Sequence, residues 1–374
     1  MEHVGSAREG EFELKISFIC LLYNPVIPFR AMTNTGPAGV EGVWAEDFCH
    51  LSHLHFYNPV IPFRAMAHVG PAGGEFDLFE HRSIAVVYFI AGILGVSGNA
   101  VIIRIFSKYN PISGVRSRTH VQFAFGNILV VVGAFAGGLS SIFGRWLLGE
   151  TGCQLYGFVT YTGGMIATTM ALVQCVERYY AQNNSEYDKN GGNGFLCVLA
   201  WLYSLSVAVA PLVGWNSYTA EASGTACGLN HMVDDWSHKS FFIALPFITT
   251  VLMMFAISAV RSAILKNDGP DAVCPAHAQD WFRDYQLNWI AVANLLTMCV
   301  GFAPYFYFSV WSVRYPGRQM TMLASVTSPL VAKLSTLFTP IVYCIGSRKF
   351  RAAFAASIFG EEAPRTFNAD RKSE

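Results

Sequence analysis

Long uncharged segments alternate with short charged connections along this chain. They cover residues 84–103, 119–144, 151–176, 190–220, 240–260 and 285–313, and a seventh segment surrounds Lys333. An α-helix rises about 1.5 Å per residue, so roughly 20 apolar residues cross a hydrocarbon core of about 30 Å. Because only helices satisfy their own backbone polar groups in lipid over such lengths, the pattern predicts an all-α membrane protein, a bundle of seven transmembrane helices. We number these helices as spans one to seven.

The predicted bundle occupies residues 83–347. We expect residues 1–82 to form an irregular outer N-terminal tail, in which Tyr23–Met32 recurs unchanged as Tyr57–Met66. Two copies do not predict a solenoid, and a duplicated coding segment explains them as well as a functional repeat does. Residues 348–374 are predicted to form a basic amphipathic helix on the inner leaflet, followed by a short cytoplasmic tail.

Lysine and arginine near the span ends predict the orientation, because they concentrate on the cytoplasmic side. The side with the first, third and fifth connections and the C-terminus carries twelve: Arg104, Lys108, Arg116, Arg118, Arg178, Lys189, Arg261, Lys266, Arg283, Arg348, Lys349 and Arg351. The other side carries five: Arg82, Arg145, Lys239, Arg314 and Arg318. We therefore expect a multi-pass protein of the lipid bilayer with its N-terminus outside and its C-terminus in the cytoplasm.

The composition also fits a membrane protein, since 53% of the residues are hydrophobic and only 13% are charged. The formal net charge is zero, which argues against a nucleic-acid partner. The nine cysteines include no CxxC pair, so we expect no metal site and no thioredoxin-type chemistry. Cys153 and Cys227 both face the outer, oxidising compartment, where a disulfide between them would pin the second outer loop over the bundle.

Lys333 is the only charged residue between Arg318 and Arg348, and it lies near the middle of span seven. A lysine at mid-bilayer costs roughly 2.5–3.5 kcal/mol on insertion scales, so its presence predicts a function. Its amine can form a Schiff base with an aldehyde. The alternative is a side chain that extends to the membrane interface, but each flanking arginine is about 15 residues away, too far for a four-carbon stem.

Two further patterns bear on function. Glu177-Arg178-Tyr179 ends span three on the cytoplasmic side, where it is either a solvated helix end or a partner of Asp284, which opens span six. In the second case Arg178 would hold the inner end of the bundle closed. Interior prolines kink helices and create cavities, and they occur in four separate spans, at Pro211, Pro246, Pro304 and Pro340. We therefore expect a bundle that has a pocket and that moves.

Together these residues resemble the rhodopsin-like receptor superfamily over residues 83–360. The shared features are the Gly-Asn of span one, Cys153 with Cys227, Glu177-Arg178-Tyr179, Trp201 and the later helix prolines. Lys333, six residues before Thr339, is similar to the lysine of the opsin branch, and Gly144–Trp146 and Pro211–Tyr218 are most similar to the peropsin and retinochrome group. The resemblance implies that Lys333 binds retinal, 11-cis or all-trans, as a Schiff base, and that light isomerises it.

A positive charge buried in a bundle needs a carboxylate nearby. In vertebrate visual opsins one lies three residues after the span-three cysteine, where this chain has Tyr156. The remaining family position, six residues before Cys227, is Glu221, and the disulfide would place it over the pocket. The resemblance therefore implies that Glu221 is the counterion, the alternative being an ordinary loop glutamate.

The resemblance also assigns residues to the retinal pocket. Gly163 and Gly164 match the small pair that admits the retinal chain in opsins. Phe302 replaces the usual tryptophan of span six, so we expect different packing near the retinal ring, and Tyr305 matches another pocket position. With Tyr156 these residues make up the expected cofactor-binding site.

The expected switch residues lie toward the cytoplasmic face: Glu177, Arg178, Tyr179, Asp284, Pro340 and Tyr343. Three departures weaken the expected coupling to a heterotrimeric G protein. The span-two aspartate of the family, placed five residues after Asn127, becomes Val132. Thr339 stands where asparagine is usual, and Phe302 replaces the tryptophan. Each change would remove part of the polar relay between the pocket and the cytoplasmic face.

Three functions remain open from the sequence. The first is a light-sensing receptor, in which no residue is catalytic and light shifts an inactive–active equilibrium. The second is a retinal photoisomerase that takes all-trans retinal and releases the 11-cis form, with little or no G-protein signalling. The third is a receptor for a diffusible ligand in which Lys333 is incidental.

Overall fold

A computed structural model describes residues 76–109, 111–112, 114–183, 194–267, 281–315, 317–318 and 321–360. These residues form nine α-helices: α1 Leu78–Tyr109, α2 Gly114–Ile142, α3 Gly149–Asn183, α4 Gly194–Val209, α5 Trp236–Asn267, α6 Asp284–Arg314, α7 Met322–Ser335, α8 Phe338–Gly346 and α9 Arg348–Phe359. Two short strands, β1 Tyr218–Ala220 and β2 Cys227–Leu229, lie between α4 and α5.

Seven helical segments in this described part of the chain are long and apolar enough to cross a membrane, which confirms the predicted spans. Helices α1 to α6 are spans one to six, and α7 with α8 forms span seven. Span one begins at Leu78, five residues before the predicted boundary at 83. The repeat in the N-terminal tail and residues 361–374 lie outside the described residues.

Span seven is broken directly after the lysine turn. Helix α7 ends at Ser335, Thr336 and Leu337 form a turn, and α8 begins at Phe338. Pro340 explains the break, because it has no N–H to donate to the carbonyl of Thr336 one turn earlier. Asn99 of α1 donates its side-chain amide to that carbonyl at 3.1 Å instead. The break therefore gives Asn99 a tertiary role that helix periodicity does not predict.

The other prolines have different effects. Pro246 and Pro304 lie inside α5 and α6, as expected. Pro211 lies instead in a short 3-10 helix, Ala210–Val213, that ends span four. Gly214 follows it with a φ of 98°, a left-handed conformation that favours glycine and stops the helix.

The two strands form an antiparallel hairpin in the second outer loop, with Ala220 paired to Cys227. A disulfide joins Cys227 to Cys153 near the start of α3, as predicted. Gln154 adds a second tie, since its side-chain amide donates to the Tyr218 carbonyl at 2.8 Å. The hairpin is therefore fixed to the outer end of span three.

The largest hydrophobic core cluster in the described residues joins α2 to α6, and α9 packs against the inner end of α1. Phe350 and Ala353 of α9 are buried in a second cluster with Phe106. The basic residues of α9, Arg348, Lys349 and Arg351, lie in or next to its first turn. This arrangement fits the predicted amphipathic helix at the inner leaflet.

Candidate functional site

Lys333 is buried within the bundle, with only 3% of its surface exposed. Its Nζ lies 5.4 Å from the centre of the Tyr156 ring in α3 and 5.7 Å from that of Tyr88 in α1. Aromatic faces attract an ammonium group at such distances. The amine therefore sits between two tyrosine rings at the centre of the bundle and away from the lipid interface.

Glu221 follows strand β1 and closes over the same region from the outer side. Its backbone N–H donates to the Ala226 carbonyl at 3.0 Å, which forms part of the hairpin turn. The Tyr305 hydroxyl of α6 donates to Glu221 Oε1 at 3.4 Å, whereas Oε2 is buried without a hydrogen-bond partner. The carboxyl group is thus aimed into the bundle.

Burial raises the pKa of the Glu221 carboxyl to about 7, and the charge of Lys333 and the Tyr305 hydrogen bond offset part of that increase. Glu221 and Lys333 therefore interact electrostatically through a water-poor interior. Gly228 on the facing strand makes room for this carboxylate, because a Cβ there would lie 2.6 Å from Glu221 Oε1.

The four predicted polar pocket residues, Lys333, Glu221, Tyr156 and Tyr305, meet in one region. Tyr88 joins them from span one, which the sequence reasoning missed. The available signal was a single tyrosine in the uncharged segment 84–103, a feature too common in membrane helices to single out a position.

Gly163 and Gly164 face in different directions. A Cβ on Gly164 would lie 2.8 Å from the Phe302 ring, so this glycine borders the pocket region of span six. A Cβ on Gly163 would lie 2.7 Å from the Val130 backbone nitrogen. Gly163 therefore allows α3 to approach α2 closely, while Gly164 makes room for Phe302.

A buried polar network connects spans one, two and seven below the lysine. Asn127 donates its side-chain amide to Asn99 Oδ1 at 3.1 Å and to Thr339 Oγ1 at 2.9 Å. The prediction that Val132 occupies the family's span-two aspartate position was wrong. Val132 is 41% exposed on the outside of the bundle, and Asn127 stands at the inward position with the polar partners.

The other polar contacts of α2 agree with this placement. Trp201 of α4 donates its indole N–H to Gln122 Oε1 at 2.7 Å. Gln122 therefore hydrogen-bonds to span four, whereas Asn127, five residues further along α2, hydrogen-bonds to spans one and seven. The polar relay is retained at this level, with Asn127 and Thr339 as its members.

The inner end of span three forms the predicted contact with span six. Arg178 Nη2 lies 2.5 Å from Asp284 Oδ1, and Arg178 Nε donates to Asn288 Oδ1 at 2.9 Å. Glu177 is buried and accepts a hydrogen bond from Thr119 at 3.0 Å, while Tyr179 is exposed. Arg178 thus makes a tertiary contact with span six, and its side chain is not solvated at the helix end.

Tyr343 of α8 belongs to a second buried polar cluster that was not predicted. Its hydroxyl lies 2.5 Å from His120 Nδ1, and Asn294 donates to it at 3.3 Å. Asn294 also donates to Gln174 Oε1 at 2.9 Å. The cluster connects spans two, three, six and seven between the lysine region and Arg178.

Comparisons with known proteins agree with this architecture. A family model described as 7 transmembrane receptor (rhodopsin family) matches residues 98–343. The visual pigment-like receptor peropsin of Mus musculus is 27% identical over 289 residues, which cover 75% of this chain and 86% of that protein. Retinochrome of Todarodes pacificus is 27% identical over 283 residues, or 73% of this chain and 93% of that protein.

A solved structure has the same fold. The crystal structure of squid rhodopsin superposes with a TM-score of 0.66 at 20% identity, covering 85% of this chain and 97% of that one. The family match extends over more than half of the chain and includes the lysine span and the Arg178 contact. The chain therefore belongs to the rhodopsin family of seven-transmembrane receptors.

Proposed function

We propose that this protein is an opsin photoreceptor that binds retinal covalently through the Lys333 amine. One observation carries the proposal: the buried amine of Lys333 lies between two tyrosine rings, with the Glu221 carboxyl facing the same interior. Similarity to peropsin and retinochrome supports it. Retinal bound there as a Schiff base would supply visible absorption and a double bond that light isomerises.

The residues of this chain fit such a group chemically. A Schiff base would be protected from hydrolysis at this position, because the burial of Lys333 keeps water away from its amine. A positive charge held there requires a compensating carboxylate, and the unpaired Oε2 of Glu221 is available. We propose Glu221 as that counterion, with Tyr156, Gly164, Phe302 and Tyr305 lining the site and Gly163 supporting it through helix packing.

The test is reductive trapping. Purified protein incubated with retinal and treated with borohydride should carry one reduced retinyl group, located by mass spectrometry on the peptide containing Lys333. Lys333→Ala should remove the label, whereas Lys239→Ala, a partly exposed lysine in an ion pair with Asp234, should retain it. Labelling of Lys333→Ala equal to that of the wild type would refute the proposal.

We further propose that light shifts the inner end of the bundle toward a form that activates a heterotrimeric G protein. The Arg178–Asp284 contact and the hydrogen bond between Asn127 and Thr339 support a receptor. Such contacts can form in an inactive conformation and break in an active one, so light can shift the balance between the two. The receptor would have the N-terminal tail that precedes Leu78 outside the cell and residues 348–374 in the cytoplasm.

The second candidate is a retinal photoisomerase, which the similarity to retinochrome favours. Two measurements on one illuminated sample separate the candidates: nucleotide exchange on added G proteins, and chromatography of the extracted retinal isomers. Exchange that depends on light and on Lys333 supports the receptor. Accumulation of released 11-cis retinal without exchange supports the photoisomerase.

A further inference from the structure

Three tyrosine side chains from three different spans surround the Lys333–Glu221 pair. They are Tyr88 in span one, Tyr156 in span three and Tyr305 in span six. Tyr88 is fully buried, and its ring centre lies 5.7 Å from Lys333 Nζ. The hydroxyl of a fully buried tyrosine usually has a hydrogen-bond partner, so we expect one for Tyr88.

Unpaired hydroxyl groups and an unpaired carboxylate oxygen meet here. Tyr305 already donates to Glu221 Oε1, whereas the hydroxyls of Tyr88 and Tyr156 are buried without a hydrogen-bond partner. Glu221 Oε2 is likewise buried and unpaired. The Tyr88 hydroxyl lies near the Thr225 side chain, but that geometry is too loose to count as a normal hydrogen bond.

A glycine of span two brings Tyr88 and the outer loop together. A Cβ on Gly137 would lie 3.0 Å from the Thr225 carbonyl oxygen and 3.5 Å from the Tyr88 ring. Thr225 and Glu221 belong to the same hairpin turn, since Glu221 N–H donates to the neighbouring Ala226 carbonyl. Tyr88 is therefore packed directly beneath the turn that carries the carboxylate.

Building on the proposed function, we propose that Tyr88 is a positioning residue of the counterion. Its ring lies beside the Lys333 amine. Its hydroxyl donates to Glu221 Oε2 when the carboxylate is charged. With Tyr305 on the other oxygen, both carboxylate oxygens are then held by phenols, one from span one and one from span six. Tyr88 thus orients the charge of Glu221 toward Lys333.

The proposal predicts how Glu221 titrates. The titratable groups facing its carboxyl are Lys333 of span seven and the tyrosines at 88, 156 and 305. A hydrogen bond donated to the charged form lowers the pKa of an acid, so Tyr88→Phe removes a stabilising donor. The midpoint of the Glu221 titration should rise by roughly one pH unit, the order expected for one charge-assisted hydrogen bond.

Infrared spectroscopy of the retinal-free protein measures this directly. The protonated carboxyl band that disappears in Glu221→Gln belongs to Glu221, and its intensity is followed from pH 5 to 9. Tyr161→Phe is the matched control, because the Tyr161 hydroxyl is also buried without a partner but packs against Tyr218 and Phe241. Tyr88→Phe should raise the midpoint and Tyr161→Phe should leave it in place.

Equal midpoints in Tyr88→Phe and Tyr161→Phe would overturn the proposal. If Tyr88→Phe does not fold, the Tyr156→Phe, Tyr305→Phe double variant with ¹³C-labelled tyrosine answers the question. A phenol C–O band must then shift at the Glu221 midpoint, and its absence refutes the role of Tyr88. Since no retinal is present, failure of retinal binding would refute the proposed function without affecting this result.

Discussion

Glu221 makes the stability of the retinal-free protein depend on pH. Burial raises its pKa from 4.5 to about 7, so the fold favours the neutral acid. The stability contributed by this group is fully present below about pH 4.5 and is lost as the pH rises through 7. The melting temperature of the wild type should therefore fall over that window relative to Glu221→Gln.

The control for this measurement is Glu80→Gln, which removes an exposed glutamate at the start of span one. Its melting temperature should parallel that of the wild type over the same pH range. A constant difference between wild type and Glu221→Gln from pH 4.5 to 8 would contradict the assigned burial of the carboxyl group.

Gly163 and Gly164 provide a second test at the scale of single residues. Gly163→Ala places a methyl group against the backbone of span two, which cannot move aside, and overpacking of this kind costs about 1–3 kcal/mol. Gly164→Ala meets only the Phe302 ring, a side chain that can rotate. We expect Gly163→Ala to lower the melting temperature clearly more than Gly164→Ala.

Phe302→Leu should rescue Gly164→Ala, because the smaller side chain vacates the contact, and should give no rescue of Gly163→Ala. Thermal unfolding in detergent of the three single and two double variants measures this. Rescue of both glycine variants by Phe302→Leu would contradict this assignment, because it would mean that both glycines contact Phe302.

At the scale of the helices, the positions of the spans could be predicted from the sequence. Which side chains of a span face its neighbours could not. Uncharged length determines where a helix can cross lipid, so all seven crossings were predicted. The register of span two was not, because Asn127 and Val132 differ in burial only once neighbouring spans are packed. Lys333, Glu221 and Cys227 could be singled out from the sequence because charge and family spacing mark them, whereas Tyr88 and His120 carry no such mark.

The contact between spans three and six gives a prediction at the same scale. The Arg178 side chain is 3% exposed and that of Asp284 is 62% exposed, so the pair lies at the boundary of the bundle. Asp284→Asn removes the negative charge opposite the buried guanidinium and leaves it only neutral hydrogen-bond acceptors in the described contacts, at positions 284 and 288. The inner ends of the two spans should then separate in a larger fraction of molecules.

Electron–electron distance measurements between spin labels at the inner ends of spans three and six report that fraction. Asp234→Asn is the matched control, because it makes the same chemical change in an ion pair with Lys239 on the outer side. A longer-distance population should appear in Asp284→Asn alone. Identical distance distributions in the wild type and Asp284→Asn would show that the ion pair does not hold the inner end closed.

For the molecule as a whole, the hairpin and the inner contact lie at opposite ends of one bundle. The disulfide between Cys153 and Cys227 fixes the hairpin that carries Glu221, while Arg178 and Asp284 join spans three and six at the other end. Lys333, the Asn127 network and the Tyr343 cluster lie between them. Buried polar contacts therefore lie along the bundle between the Lys333 amine and the inner end.

We expect the same orientation of this bundle in the membrane from the charge distribution and from the disulfide. Twelve basic residues near the span ends on one side against five on the other favour that side as cytoplasmic. The Cys153–Cys227 disulfide lies on the opposite side, where an oxidising compartment would preserve it. Glycosylation, which occurs only on the outer side, can test this with two engineered acceptor sites.

Ala31→Asn creates Asn-Met-Thr in the N-terminal tail, and Arg371→Asn creates Asn-Lys-Ser near the C-terminus. Both sites are more than 20 residues from the nearest span end, so distance from the membrane does not distinguish them. We expect a glycosidase-sensitive mass increase in Ala31→Asn and none in Arg371→Asn. The reverse pattern would place Glu221 and the disulfide on the cytoplasmic side. Reduction of the disulfide there would release the hairpin that holds Glu221 over Lys333.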